Sequence, residues 1–187
     1  MSHNNIGDVR RDQGDLAGAL AAYEAALAIR EELAASDPDN AGWRRDLSVS
    51  HLKIGDVRRD RGDLAGALAA YEAALAIAEE LAASDPANAG WRRDLSVSHD
   101  RIGEVRRAQG DLARTLAAYE AALAIREELA ASDPDNAGWR RDLSVSHDKI
   151  GDVRREQGDL AGAIAAYEAA LAIAEELAAS DPANAGW

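Results

Sequence analysis

Residues 50–97 read SHLKIGDVRRDRGDLAGALAAYEAALAIAEELAASDPANAGWRRDLSV, and close copies of this stretch lie on both sides of it. The copies place tryptophans 48 residues apart, at Trp43, Trp91, Trp139 and Trp187. A fixed period of this length is the signature of a repeat protein, in which each unit packs on its neighbours. The period divides the chain into four repeats, 2–49, 50–97, 98–145 and 146–187, which are predicted to form one continuous domain. The first repeat is expected to lack the start of its first helix. The last repeat is expected to end where the first helix of a fifth repeat would begin.

Each repeat is predicted to begin with one amphipathic helix. In the stretch that ends at Arg61, apolar residues recur at helical spacing, at Trp43, Leu47, Ile54 and Val57. Either Asp37-Pro38 or Asn40 can start this helix, because proline is tolerated in a first turn and asparagine is a good N-cap. Gly62 is expected to end it in the left-handed conformation that follows many helix C-caps.

A second helix is predicted from about Leu64 to Ser84, capped by Asp63. One apolar stripe of this helix contains Leu64, Leu68, Tyr71, Leu75 and Ala78. The other contains Ala67, Ala70, Ala74, Ile77 and Leu81. Two stripes indicate two packing partners, namely the first helix of the same repeat and the next repeat. The predicted fold class is therefore all-α, an α-solenoid of antiparallel helix pairs.

The composition narrows the classes of function. The formal charge is −13, so nucleic acid is a poor partner and a basic protein or peptide a better one. The chain has no cysteine, which excludes disulfides and thiolate metal sites. The longest apolar stretch, 64–77, contains Glu72 and is too short to span a bilayer, and the polar start does not resemble a signal peptide. We expect a cytoplasmic protein with no membrane partner and no cofactor.

The motifs of each repeat closely resemble the tetratricopeptide repeat. The resemblance rests on Ile54-Gly55, Gly62-Asp63-Leu64, Ala67, Tyr71, Ala74 and an Asp-Pro-x-Asn-Ala linker. It implies a right-handed superhelix of helix pairs that serves as a protein-binding scaffold, not as an enzyme. The family repeat has about 34 residues, so the 14 additional residues look like about two extra turns on each helix.

The resemblance also implies a binding surface. In this family the first helices line a concave face that holds an extended peptide. That face corresponds here to Leu52, Asp56 and Arg59 in the second repeat, to Asp100, Glu104 and Arg107 in the third, and to Asp148, Asp152 and Arg155 in the fourth. The family's clamp for a peptide carboxylate uses lysine and asparagine at the first two of these positions. Acidic or apolar residues stand there instead, which favours a basic or arginine-containing peptide.

A less specific interpretation of these charges is that they pair with one another and with neighbouring repeats. Exposed pairs of this kind contribute about 0–1 kcal/mol each, and charge runs on helices are usually solvent faces. We favour this interpretation over a ligand-binding ladder. The histidines of successive repeats are expected to lie on helices about 10 Å apart, which is too far for them to share a metal. Ser48, Ser50 and His51 recur in three repeats on an exposed array, so we discount catalysis.

The alternative function is self-association. A solenoid without polar capping repeats exposes faces that are meant for a neighbour. Such faces are predicted at Ile6 and Val9 at one end, and at Leu171, Ile173, Leu177 and Trp187 at the other. Head-to-tail stacking would then give a homo-oligomer. The near-identity of the repeats fits either a recent amplification or an engineered array with no natural ligand. A weaker double period is also present, because Arg30 and Arg126 alternate with Ala78 and Ala174.

Overall fold

A computed structural model describes residues 3–180 of the chain, and none of these residues lies in a strand. The helices are α1 His3–Asp12, α2 Leu16–Ser36, α3 Ala41–Asp60, α4 Leu64–Ser84, α5 Ala89–Ala108, α6 Leu112–Ser132, α7 Ala137–Glu156 and α8 Leu160–Ser180. The predicted all-α fold of helix pairs is confirmed. Among the described residues, no helix is both long and apolar enough to cross a membrane.

Local sequence signals set the helix ends. The Asp63 carboxylate accepts a hydrogen bond from the Gly66 backbone N–H at 2.9 Å, which caps α4 at the predicted residue. Gly62 has a φ of 79°, in the left-handed region that glycine adopts without strain. Asn40 caps α3 by accepting a hydrogen bond from the Trp43 backbone N–H at 3.1 Å. Of the two predicted starts, Asn40 is therefore the one that the chain uses.

The chain divides into two compact units, Met1–Trp91 and Arg92–Trp187, so the boundary falls in the first turn of α5. In unit 1, α2 packs against both α1 and α3, and α3 packs against α4. This arrangement confirms for α2 the two partners that its two apolar stripes predict. In unit 2, α7 likewise packs against α6 and α8. The division into four repeats of 48 residues stays a prediction.

Contacts along one pair show that its helices run antiparallel. Arg44, near the start of α3, pairs with Glu80, near the end of α4. The Ser48 hydroxyl donates a hydrogen bond to the Ala74 carbonyl oxygen at 3.0 Å. At the opposite end, the Arg58 guanidinium donates to the Gly66 carbonyl oxygen at 3.3 Å. A three-residue connection between α3 and α4 leaves no other orientation for tightly packed neighbours.

Each unit has a small core in which leucines of one pair pack on the next pair. In unit 1 the core contains Ala19, Tyr23, Ile54, Val57 and Ala70, with Leu16, Leu20 and Leu27 packed against it. In unit 2 it contains Tyr119, Ile150, Val153 and Ala166, with Leu112, Leu116 and Leu123 packed against it. The recurrence of equivalent positions shows that one packing pattern is used in both units.

The structure corrects one part of the predicted end faces. Leu177 was expected to be exposed but is only 2% exposed, and Ile173 is half-buried. Leu177 shares one face of α8 with the buried Ala163, Ala166 and Ala170, and α7 is the helix that packs on α8. Leu171, Ile6 and Val9 are exposed, as predicted. Trp187 lies outside the described residues.

Candidate protein-interaction surface

In unit 1, a lysine links the first helices of neighbouring pairs. Lys53 of α3 lies 2.6 Å from the Asp8 carboxylate of α1, and its ammonium lies 5.4 Å from the centre of the Tyr23 ring. The Tyr23 hydroxyl donates a hydrogen bond to the same carboxylate at 2.6 Å. Burial alone raises the pKa of Asp8, but these two hydrogen bonds, together with the positive charges of Lys53 and Arg11, hold the pKa below its usual value.

The predicted residues Asp56 and Arg59 lie in the same ion-paired strip of unit 1. Arg11 of α1 lies 2.6 Å from Asp60 and 3.6 Å from Asp56, both on α3. Tyr71 donates a hydrogen bond to Asp56 at 2.7 Å, and Arg59 lies 3.7 Å from Asp60. Leu52, the third predicted residue on α3, is half-buried.

Unit 2 repeats this arrangement with more charge. Lys149 of α7 lies 3.1 Å from Asp100 and 3.2 Å from Glu104, both on α5. Its ammonium lies 5.3 Å from the centre of the Tyr119 ring, as Lys53 lies over Tyr23. Arg101 also pairs with Glu104, at 3.0 Å. The lysine therefore holds α5 and α7 together across their shared surface.

Asp100 is not a surface residue, although it was predicted to face a ligand. It is 7% exposed, and its carboxylate lies 2.7 Å from the guanidinium of Arg126, which is itself 5% exposed. Arg126 also donates a hydrogen bond to the Ser146 hydroxyl oxygen at 2.6 Å. Asp100 is buried because Arg126 extends from α6 to meet it, so its carboxylate belongs to the interior of unit 2.

The remaining predicted residues form what we call the unit 2 surface, defined as Glu104, Arg107, Asp148, Asp152 and Arg155 on α5 and α7. Arg107 pairs with Glu156 and lies 3.6 Å from Asp152, which also lies 3.5 Å from Arg155. Tyr167 donates a hydrogen bond to Asp152 at 2.8 Å. These contacts are the mutual pairing that the less specific interpretation expects.

Asp148 is the exception on this surface. Its side chain is exposed, and no basic residue in the described part of the chain forms an ion pair with it. Partial burial and the neighbouring Asp152 carboxylate raise the pKa of Asp148, against a smaller opposing effect of His147. Like charges side by side make the ionised form costly, so a cation bound here would be favourable.

Lys53 and Lys149 were not predicted as part of the surface. The signal was present, because they are the only lysines in a chain that otherwise uses arginine, and they lie 96 residues apart in the same register. An ammonium is a compact charge on a flexible stem, which lets it contact two carboxylates and a ring at once. Within residues 3–180, no group of three or more histidine, aspartate or glutamate side chains could hold a metal ion.

The pKa of the tyrosine that lies beneath the lysine leads to a testable prediction. Burial, followed by the carboxylates of Glu104 and Asp100, raises the pKa of Tyr119 from 10.0 to about 12. Between pH 10 and about pH 12, the unfolded chain loses the phenolic proton of Tyr119 and the folded chain keeps it. The contribution of Tyr119 to stability is therefore complete below pH 10 and is lost as the pH rises toward about 12.

Denaturant unfolding and phenolate absorbance, both measured across this pH range, check the prediction. We expect the Tyr119→Phe variant to lose stability less steeply above pH 10 than the original chain. Asp46→Asn is a suitable control, since Asp46 is exposed and lies far from Tyr119 in the sequence. If all four tyrosines of the folded chain ionised near pH 10, the prediction would be wrong.

Comparisons with known proteins agree with this geometry. Models described as tetratricopeptide repeat match residues 2–39 and 146–177. The crystal structure of BtubC (BKLC) from P. vanneervenii is similar at a TM-score of 0.72 and 19% identity, over 94% of this chain and 63% of that chain. The crystal structure of MamA protein is similar at a TM-score of 0.51 and 17% identity, over 97% of this chain and 94% of that chain.

The family models match two separate stretches near the ends of the chain, whereas the structural similarity extends over most of it. No curated protein matches the chain in sequence. The chain spans 63% of the length of BtubC, and at 19% identity the similarity concerns the fold alone. The family matches, the helix pairs and the aspartate caps at Asp15 and Asp159 agree with one another at both ends of the sequence. The two matched stretches are therefore tetratricopeptide repeats, a repeat whose family generally provides protein-interaction scaffolds, and the helix pairs agree with that assignment.

Proposed function

We propose that this protein binds a basic, extended segment of a partner protein along the unit 2 surface. The observation that carries the proposal is the exposed Asp148 carboxylate beside Asp152. A guanidinium or ammonium group of a partner would relieve the repulsion between these carboxylates. Glu104 and Asp152 already form ion pairs within the chain. They would therefore attract the partner segment less strongly than Asp148 does and would serve mainly to position it.

The overall charge supports the same class of partner. A net charge of −13 attracts basic chains over a distance and repels the phosphates of nucleic acid. The proposed binding needs no cofactor, and a chain without cysteine suits the cytoplasm. Because the exposed charges are screened by salt, binding should weaken as ionic strength rises.

Peptide binding followed by fluorescence anisotropy tests this function. We expect an arginine-rich peptide to bind and a glutamate-rich peptide of the same length not to bind. The Asp148→Asn variant should weaken binding about two- to fivefold, which corresponds to the loss of one exposed ion pair. Glu127→Gln is the matched control, because Glu127 is an exposed carboxylate on α6, outside the unit 2 surface. Equal binding of both peptides, or equal effects of both variants, would contradict the proposal.

A second candidate function is self-association through the ends of the chain. The exposed apolar residues Ile6 and Val9 of α1, together with Leu160, Ile164 and Leu171 of α8, favour it. These side chains lie at positions that are covered elsewhere in the same chain. This candidate predicts a mass in solution that increases with protein concentration, and it requires no basic peptide.

A further inference from the structure

We infer that two copies of this chain join head to tail in the register of the internal repeat junction, with Arg10 of one copy paired with Glu168 of the other. The inference rests on self-association as the second candidate function and specifies its interface. The α8 face of one copy would cover the α1 face of the next. Each unit already contains a junction of this kind between its two helix pairs.

The apolar half of that junction is visible inside unit 1. There, Leu16, Leu20 and Leu27 of α2 pack against a core that contains Ile54 and Val57 of α3. Ile54 is 2% exposed and Val57 is fully buried. Unit 2 repeats the contact with Leu112, Leu116 and Leu123 of α6 against Ile150 and Val153 of α7. The chain therefore defines what covers such a face, which is another repeat of its own kind.

The two halves of the same contact lie uncovered at α8 and α1. Leu160, Ile164 and Leu171 of α8 occupy the positions of the three packed leucines, and they are 63%, 57% and 57% exposed. Ile6 and Val9 of α1 occupy the positions of Ile54 and Val57, and they are 38% and 54% exposed. A pocket on α1 is lined by these two residues with Asn5, Arg10 and Gln13. Joining the faces would bury both sets of side chains, as the internal junction does.

Charged residues fix the register of the internal junction. Arg58 of α3 lies 3.4 Å from Glu24 of α2, and Arg154 of α7 lies 3.5 Å from Glu120 of α6. Each of these arginines also donates a hydrogen bond to a glycine carbonyl oxygen in its own pair, Gly66 or Gly162. Arg10 makes this second contact, to Gly18 at 3.0 Å, which holds its guanidinium in the same orientation.

The equivalent pairs at a junction between copies are complementary. Arg10 stands where Arg58 stands in the next repeat, and Glu168 stands where Glu24 stands. A second internal pair joins Arg11 of α1 to Asp60 of α3, and its counterpart would join Arg155 of one copy to Asp12 of the other. Both junction pairs have opposite charges, so a second copy of this chain fits the uncovered faces in charge as well as in apolarity.

Charge reversal across the junction provides the test. We expect the full chain to show an average mass above 19.8 kDa that increases with concentration in analytical ultracentrifugation. Arg10→Glu alone and Glu168→Arg alone should each weaken association about tenfold, because each places like charges opposite one another. Mixing the two variants restores opposite charges at every mixed junction and should restore association. Glu127→Arg changes the net charge by the same amount as Glu168→Arg but lies on α6, so it should leave association unchanged.

The outcomes separate the register from self-association itself. An unmodified chain that keeps the mass of one copy at every concentration would exclude self-association and this inference with it. An unmodified chain that associates, with variants that associate equally well, would exclude the register and leave self-association standing. Failure of the mixture to recover, while both variants stay folded by circular dichroism, would also overturn the inference. Binding of a basic peptide is independent of all these results.

Discussion

Replacing Gly55 with alanine is expected to lower the free energy of unfolding by about 1–3 kcal/mol, although alanine is the better helix former. A methyl group on Gly55 would lie 2.6 Å from Cδ1 of the Tyr71 ring, well inside van der Waals contact. The ring cannot move aside easily, because Tyr71 is fully buried and its hydroxyl donates a hydrogen bond to Asp56. Alanine in a helix interior gains only about 0.5–1 kcal/mol over glycine, so the steric effect is larger.

The same helix provides the control for this prediction. Gly42 lies in the first turn of α3, and a methyl group there would meet only the Asn40 side-chain oxygen, at 3.3 Å. Gly42→Ala is therefore expected to change the free energy of unfolding much less than Gly55→Ala does, because only a small shift of the Asn40 cap is needed. Urea unfolding followed by circular dichroism compares the two variants directly. A Gly55→Ala variant as stable as Gly42→Ala would show that the helix pair can open without cost.

A third glycine, which contacts a less buried tyrosine, tests whether the aromatic ring causes the loss of stability. Gly151 contacts Tyr167 as Gly55 contacts Tyr71, but Tyr167 is only half-buried. Because fewer atoms surround the half-buried ring, we expect it to shift away from an added methyl group more easily, although its hydroxyl also donates a hydrogen bond to Asp152. Gly151→Ala should therefore destabilise less than Gly55→Ala. Equal losses would indicate that helix backbones, and not the aromatic ring, limit the space.

Features that depend on neighbouring residues were predictable from the sequence. The bounds of α4, its Asp63 cap and the left-handed Gly62 all follow from rules that act over a few residues. The ion pairs were predicted only as a general tendency. Lys53 and Asp8 lie 45 residues apart, so their contact depends on how α1 and α3 pack, which local patterns do not specify.

The two misplaced site residues show a second limit. Helical spacing puts Asp100 on the same strip as Glu104, but it does not reveal that Arg126 of α6 covers one carboxylate and not the other. In α8 both stripes are apolar, so their composition does not show which one contacts α7. Leu177 is buried, whereas Leu171 on the other stripe is exposed, although Tyr167 of that same stripe reaches α7. Depth of burial is a property of the packed pair, not of the single helix.

The largest single loss of stability is expected from Asp100→Leu. This change leaves the Arg126 guanidinium buried, with the Ser146 hydroxyl as its remaining hydrogen-bond partner within residues 3–180. Removing one partner of a buried ion pair typically costs about 3–5 kcal/mol, because the other charge stays without compensation. Arg126→Ala should cost less, since the carboxylate of Asp100 would still have Lys149 at 3.1 Å.

Combining the two changes is expected to recover most of the loss. The double variant Asp100→Leu/Arg126→Ala reproduces the residues that the second repeat carries at these positions, Leu52 and Ala78. Ala78 is 2% exposed, so the chain already packs this apolar version in its interior. The native pair is also incompletely compensated, because Asp100 Oδ1 and Arg126 Nε have no hydrogen-bond partner. Apolar replacement of such a pair is often neutral or stabilising.

Denaturant unfolding of the four chains forms a double-mutant cycle that separates the pair from its surroundings. We expect the double variant to lie within about 1 kcal/mol of the original chain, so the coupling should be about as large as the loss from Asp100→Leu alone, about 3–5 kcal/mol. Arg30→Ala is the matched control in unit 1, where the equivalent arginine is half-buried and bonds the neutral Asn4 at 3.2 Å. It should cost less than Asp100→Leu, because no buried charge loses its counterion. Additive losses in the cycle would mean that Asp100 and Arg126 contribute to stability independently, and that the alternation of Arg126 with Ala78 does not reflect their pairing.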